Sequence, residues 1–337
     1  MIQPVHNPLP HGATARRPTW DDLPAAVRAE VERRLEQPVL GGESQGAGFT
    51  NGLASRLRLA DGSRVFVKAV AVDTHPMVAD SYRQELAVVP ALPAAVPATR
   101  LRWHAEIDAG TDGDGDGGTG GSWLVLAFED VQGRPPRRPW QLAELRAVLD
   151  VLPAVAAALT PPPAGLPSLP TIGASAADFR HWQELARTTD ARPGAAPDDG
   201  PVPVAELAAL EACWVEAGSG DTAVHYDLRD DNVLLADDGR ILVCDWNWLT
   251  VGAPWLDLVG LLVSVHGDGL DADAELARSP LTRDVPALAI DAYLAALAGF
   301  FTAAARQPHL EGSPWLRVHQ AWYRDATLGW LARRLGR

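Results

Sequence analysis

Three residues carry the most specific chemistry in this chain: Asp227, Asn232 and Asp245. A short apolar run ends at His225 and opens into a loop holding Asp227 and, five positions on, Asn232. Two further apolar runs, VLLA and ILVC, are joined by Asp237-Asp238-Gly239, and the second delivers Asp245. A strand, a loop and a hairpin in this order gather two carboxylates and a carboxamide at one end of the hairpin. One carboxylate can there accept a proton from an attacking hydroxyl. The other and the carboxamide are hard oxygen ligands of the kind magnesium takes.

The elements that must position these groups can be read from periodicity. Residues 20–36 carry apolar positions at helical spacing, with Asp21 and Asp22 as caps. Strands are expected at Val39–Ser44, Leu53–Leu59 and Arg64–Val70, with Asp61-Gly62 as the turn between the last two. A helix over Pro76–Leu92 carries Glu85, and strands follow at Ala98–Ile107 and Ser122–Glu129. The intervening Gly110–Gly121 segment alternates Asp112, Asp114 and Asp116 like a calcium loop, but Trp123 stands where such a loop needs a bidentate Glu, so it reads as a hairpin tip. Beyond Glu129 the chain turns Ala- and Leu-rich and helical, interrupted by Pro-rich segments at Thr160–Pro170 and Ala191–Pro203. Helices are expected around Pro254–Val265, Val285–Ala304 and Pro314–Leu335.

Of 29 basic residues, Lys68 is the single lysine. Against that bias, a lone Lys marks a place where a planar guanidinium does not substitute for a compact ammonium. It lies in a strand that follows a Gly-rich turn, and Glu85 on the next helix is its best partner.

The loop His225-Tyr226-Asp227-Leu228-Arg229-Asp230-Asp231-Asn232 matches the kinase pattern H-x-D-L-x-x-x-N, and Asp245-Trp246-Asn247 stands where kinases carry D-F-G. With Gly252-Ala253-Pro254-Trp255-Leu256-Asp257-Leu258 downstream, the chain resembles the aminoglycoside phosphotransferase-like family of the protein-kinase-like superfamily. That resemblance implies an α+β, bilobal protein-kinase-like fold. Its N-lobe, residues 1–129, would be an antiparallel five-stranded sheet plus a helix, and its C-lobe, 130–337, mainly helical. It makes Asp227 the catalytic base, Asn232 and Asp245 the metal ligands, and Lys68, paired with Glu85, the contact to the nucleotide phosphates. It gives His225 and Asp257 scaffold roles, Asp257 bracing the catalytic loop or capping a helix. Ser44, Gly46 and Gly48 belong to a loop covering the nucleotide, although the turn lacks G-x-G-x-x-G, and Glu129 closes the hinge strand beside adenine. The implied donor is ATP with Mg2+, and the pattern does not separate ATP from GTP. Tyr226 departs from the Gly usual there and narrows the space beside the base.

Composition bounds the partners. A formal net charge of −14 argues against nucleic acid. No secretory signal is read at the N-terminus, and the longest apolar stretch, near Leu256–Val265, is too short to span a bilayer, so a soluble, cytoplasmic protein without a membrane partner is expected. Cys213 and Cys244 lack metal spacing and read as packing residues. Between Asp198 and Glu275 there are 17 acidic residues against Arg229 and Arg240, a field that would draw a cationic acceptor, with a plain solvated acidic surface as the alternative. Asp230, Asp231 and Tyr226 are the expected acceptor contacts. Trp248, Trp255, Trp315, Trp322 and Tyr323 fall in the acceptor lobe, most of them as core.

The reading is therefore an ATP-dependent phosphotransferase acting on a small-molecule hydroxyl, with an amino-sugar or other cationic antibiotic as the acceptor class the resemblance favours. A metabolic kinase for a sugar or an amino alcohol, of maltokinase or choline-kinase type, stays open. A pseudokinase is disfavoured because Lys68, Asp227, Asn232 and Asp245 are all present. Oligomeric state is not legible.

Overall fold

Alternation along one strand explains how the first part of the molecule is layered. In Ser122–Glu129, Trp123, Val125 and Ala127 face one side and Leu124, Leu126 and Phe128 the other, and all six are buried. A strand apolar on both faces has to be covered on both. The computed structural model, which describes residues 2–110, 121–190 and 200–337, supplies both covers. Asp112, Asp114 and Asp116 lie outside the described residues, as does 191–199 of the second Pro-rich segment.

Five antiparallel strands, β1 (Val39–Ser44), β2 (Leu53–Leu59), β3 (Arg64–Ala71), β4 (Leu101–Asp108) and β5 (Ser122–Glu129), form a sheet in the order β1-β2-β3-β5-β4. On one face, Val27 and Val31 of α1 (Ala25–Leu35), with Trp20 and Leu23, pack on Leu53, Leu57, Val65, Val67 and Val125. On the other, α2 (Pro76–Val88) brings Ala79, Tyr82 and Val88 against Leu124, Leu126 and Phe128, in a core continuous with the helical part.

The helical part follows. It contains β6 (Gly133–Arg134), α3 (Leu142–Ala158), α4 (His181–Asp190), α5 (Val204–Glu211), α6 (Trp214–Ala217), β7 (Thr222–Val224), β8 (Val233–Ala236), β9 (Ile241–Val243), β10 (Thr250–Gly252), α7 (Leu256–Gly267), α8 (Ala272–Arg278), α9 (Ala287–Ala305) and α10 (Leu316–Arg334). The β8–β9 hairpin turns at Asp237-Asp238-Gly239, where Gly239 takes the left-handed φ of 87° that a side chain would resist. Val243 donates its N–H to Pro97 O at 2.7 Å, which ties the hairpin to the chain entering β4.

Several expected boundaries move. Residues 20–36 are not one helix: a 3-10 turn at Trp20–Asp22 ends before Pro24, and Asp22 accepts from the Thr19 N–H and hydroxyl, both at 2.7 Å, instead of capping α1. The helix carrying Glu85 stops at Val88, with Pro90 inside the 3-10 turn that follows. The fourth strand starts at Leu101, because Ala98 pairs with Val243 instead of entering the sheet. Among the described residues the longest apolar helix is α9, at 19 residues and mean hydropathy 1.7, not the segment near Leu256. By length and composition α9 could cross a bilayer, but its window is 61% buried inside the protein, against α10, α5 and their neighbours. Cys213 is exposed, so it is not a packing residue.

Candidate active site

β3 carries Lys68 on the sheet face turned toward α2, opposite Leu126 in register. Its Nζ lies 2.8 and 2.7 Å from the two Glu85 carboxylate oxygens and also bonds Asp245 Oδ1. Burial alone would depress the Lys68 ammonium, but Asp245 and Glu85 more than offset it and hold it above its ordinary value. Glu85 itself is only 3% exposed, and burial raises its pKa against the pull of Lys68. Tyr82 and Phe128 present their rings to Nζ, 5.7 and 5.5 Å away.

Asp245, two residues past the end of β9, has a φ of 61°, and Tyr226 sits at 66°. Both are left-handed, a conformation that costs a side-chain-bearing residue about 1 kcal/mol or more. Glycine meets that demand freely, which gives a physical reason for Gly being usual at the Tyr226 position. Asp257, in the first turn of α7, holds the strained loop: its carboxylate accepts the N–H groups of His225 and Tyr226, each at 2.8 Å. His225 Nε2 donates to Cys244 O at 2.8 Å, so one side chain links the loop to the residue before Asp245.

Asp227 and Asn232 come together within this loop. Asn232 Nδ2 donates to Asp227 O at 2.8 Å and lies 3.4 Å from Asp227 Oδ2. Arg229 Nη1 donates to Asp227 Oδ1 at 2.6 Å, while its Nε and Nη2 bond Asp231 at 2.9 and 3.2 Å. Burial pushes the Asp227 carboxyl up, and Arg229 works against that shift.

A cavity of about 190 Å³ is lined by Lys68, Glu85, Asn232 and Asp245, by Ala47 and Gly48 of the Gly-rich turn, and by Glu129 to Val131 at its far end. Gly48 and Glu129 therefore reach the cavity, and Ser44 and Gly46 do not. Ser44 is exposed and paired with Ser55, while Gly46 turns its carbonyl to the N–H groups of Thr14 and Ala15. Glu129 Oε1 is occupied by the Arg100 N–H at 2.9 Å. Cys244 lines the same cavity, its thiol pushed up to about 12 by burial.

The predicted acceptor contacts are bound within the protein. Asp230 accepts from Arg138 Nη1 at 2.7 Å, and Arg138 also grips Asp268 at 2.7 and 2.9 Å. Asp231 is held by Arg229. Tyr226 places its hydroxyl 3.1 Å from Ser175 Oγ. The acidic count over 198–275 thus overstates the field beside Asp227, since Arg138, from outside that segment, and Arg229 each neutralise part of it. Asp230 and Asp231 nevertheless line a second cavity, of about 260 Å³, with Phe49, His319, Trp322 and Tyr323. The Tyr323 hydroxyl is buried there without a partner. Of the five aromatics expected in this lobe, Trp255, Trp322 and Tyr323 are buried and Trp248 is 55% exposed.

Sequence reading missed Arg138 and Asp268, and saw Arg229 only as a charge. The signal for Arg229 was present, two positions after Asp227, whereas nothing local links Arg138 to residues about 90 and 130 positions away.

The profile of a family described as APH, phosphotransferase enzyme family, matches residues 48–290, more than half of the chain. The chain belongs to this family. Solved structures of similar fold include an apo thermostable mutant of the aminoglycoside phosphotransferase APH(4)-Ia, 18% identical, covering 91% of this chain and 98% of that one at a TM-score of 0.56. A second is the choline kinase LicA from Streptococcus pneumoniae, 14% identical, with 91% and 98% coverage and a TM-score of 0.57. A third is the APH(4)-Ia thermostable mutant D198A in a ternary complex with ADP and hygromycin B, 18% identical, with 92% and 99% coverage and a TM-score of 0.52. Among curated proteins, none matches the chain. The likeness to these structures establishes the bilobal kinase-like fold, with the antiparallel five-stranded sheet and the helical C-terminal part. Family membership makes the protein a phosphotransferase.

Proposed function

We propose that the protein transfers the γ-phosphoryl group of ATP, or of GTP, to a hydroxyl of a small molecule. The observation that carries this reading is Lys68: held by Glu85 and reaching Asp245 from the opposite side of the cleft, it lines one cavity with Asn232, whose side-chain amide donates to Asp227. The acceptor oxygen bonds to the γ-phosphorus and the bond from phosphorus to the bridging oxygen breaks, releasing the nucleoside diphosphate. The acceptor proton passes to Asp227, at Oδ2, because Arg229 holds Oδ1. Lys68 offsets charge on the phosphates. The lobes meet after Glu129, whose strand edge would receive the base.

Magnesium fits the donor set. Asn232 is oriented by its side-chain N–H group, which leaves its side-chain Oδ1 without a hydrogen bond among the described residues, and Asp245 engages Lys68 through Oδ1. Among the described residues no three His, Cys, Asp or Glu side chains converge. The protein would thus give two ligands, as is usual where magnesium is shared with phosphates. When bound, it supplies positive charge against the phosphate oxygens.

For the acceptor, a cationic amino-sugar antibiotic has support from the similar fold of APH(4)-Ia, which was solved with ADP and hygromycin B. A compact amino alcohol is the second reading, favoured by the aromatic lining of Phe49, Trp322 and Tyr323 beside Asp231. Incubating the protein with ATP, Mg2+ and a panel of aminoglycosides, amino sugars, neutral sugars and choline, then reading added phosphate by mass spectrometry, tests both. Tight nucleotide binding with no transfer to any acceptor would count against the proposal.

A further inference from the structure

The N-terminal segment, outside the residues matched by the family profile, runs along the Gly-rich turn. Ala13 pairs with Gly46, Thr14 Oγ1 donates to Gly48 O at 2.6 Å, and Arg16 N–H donates to Gly312 O at 3.2 Å. This strap delivers Arg17 to the nucleotide cavity.

Three cations line that cavity among the described residues: Arg17, Arg56 and Lys68. Arg56 is paired with Asp130 at 3.2 Å, and Lys68 with Glu85 and Asp245. Among the described residues Arg17 makes no ion pair. Its partners are neutral: Ala47 O at 2.7 Å, Thr50 Oγ1 at 2.9 Å and Gly52 O at 3.0 Å. Its Nε is buried with no hydrogen-bond partner. A half-buried guanidinium at a cavity wall, with no anion among its partners, leaves its charge available to an anionic ligand, since charged groups drawn from solvent favour a counter-charge. Its position relative to Lys68 is fixed through Gly52, where an added Cβ would lie 2.7 Å from the Tyr82 hydroxyl, and the Tyr82 ring faces Lys68 Nζ.

We propose that Arg17 is a phosphate-binding residue for the nucleotide, a second cation beside Lys68 that is contributed by the N-terminal strap. The inference rests on the nucleotide reading above. It also gives the strap a purpose, because the same guanidinium that meets phosphate binds three groups of the Gly-rich turn and so couples the turn to the presence of that anion.

The test is calorimetric titration of the full chain, with Mg2+, by ATP, ADP, AMP and adenosine, for the unaltered protein, Arg17→Gln and Arg17→Lys. Arg17→Gln should weaken ATP binding by about tenfold to a hundredfold and leave adenosine within about twofold, with Arg17→Lys between, as expected for a charge-assisted contact. Equal weakening of ATP and adenosine would overturn the assignment and reduce Arg17 to a support for the turn. On the unaltered protein, ATP but not adenosine should shield Arg17 from phenylglyoxal, read by peptide mapping. Failure of ATP to shield it would also overturn the assignment, even if Arg17→Gln does not fold. Were the unaltered protein to bind no nucleotide at all, the nucleotide reading itself would fall and the role of Arg17 with it.

Discussion

Two charge clusters flank the cleft, and each sets one cation between two carboxylates. Around Lys68, the carboxylates are Glu85 on α2 and Asp245 from the helical part, 17 and 177 positions away. Around Arg138, they are Asp230 and Asp268, both from the helical part. The chemistry of the cations differs as their placement does. A compact ammonium on a flexible stem can shift between partners, whereas a guanidinium grips a carboxylate through two parallel bonds and keeps it there. The Lys68 cluster spans the two sides of the cleft. The Arg138 cluster is buried scaffolding that keeps the loop beside Asp227 in shape.

This contrast can be broken experimentally. Asp227→Ala should lower turnover by roughly 10³-fold or more, the scale of a lost general base, with nucleotide affinity nearly unchanged. Near-native turnover in that variant would remove Asp227 from the mechanism. Arg138→Met should instead act on stability, costing about 3–5 kcal/mol because Asp230 and Asp268 are left buried and unpaired. Urea unfolding measures it, and a loss below about 1 kcal/mol would mean that the cluster is not scaffolding. Lys68→Met should reduce kcat/KM for ATP by about 10²-fold with a smaller stability change, since Glu85 can bind a proton once its partner is gone. A pH profile sharpens the role of Arg229. The Asp227 carboxyl is raised by burial and lowered by Arg229, so Arg229→Gln should raise it further. The acid limb of kcat/KM, along which activity falls as Asp227 protonates, should then move to higher pH. An unmoved limb would detach Arg229 from the base. The smallest effect is expected at Tyr226→Gly, where relief of left-handed strain is offset by lost ring packing, for a net change within about 1 kcal/mol by thermal melting.

Much of this site was legible because its parts are close in sequence. Asp227, Asn232 and Asp245 fall within one loop and one hairpin, and period-two alternation located β2, β3 and β5 to within a residue. Lys68 stood out by composition, and Glu85 by its place on the following helix. The N-terminal helix was misread because its periodicity runs through Pro24, where the backbone turns extended. Ser44 and Gly46 were assigned to the cavity because a Gly-rich turn marks a loop but not which face of it meets the strap.

The sequence by itself determined the reaction class, the gathering of Asp227 and Asn232 in one loop and the layered sheet, since local spacing dictates which side chains share an end or a face. Only the tertiary structure decided the electrostatics. It joined Asp230 to Arg138, Asp257 to the strained Tyr226, and Arg17 to the cavity that Lys68 lines. A charge counted along the chain acts through its nearest neighbours in space, and in a folded protein those neighbours come from segments that periodicity does not connect.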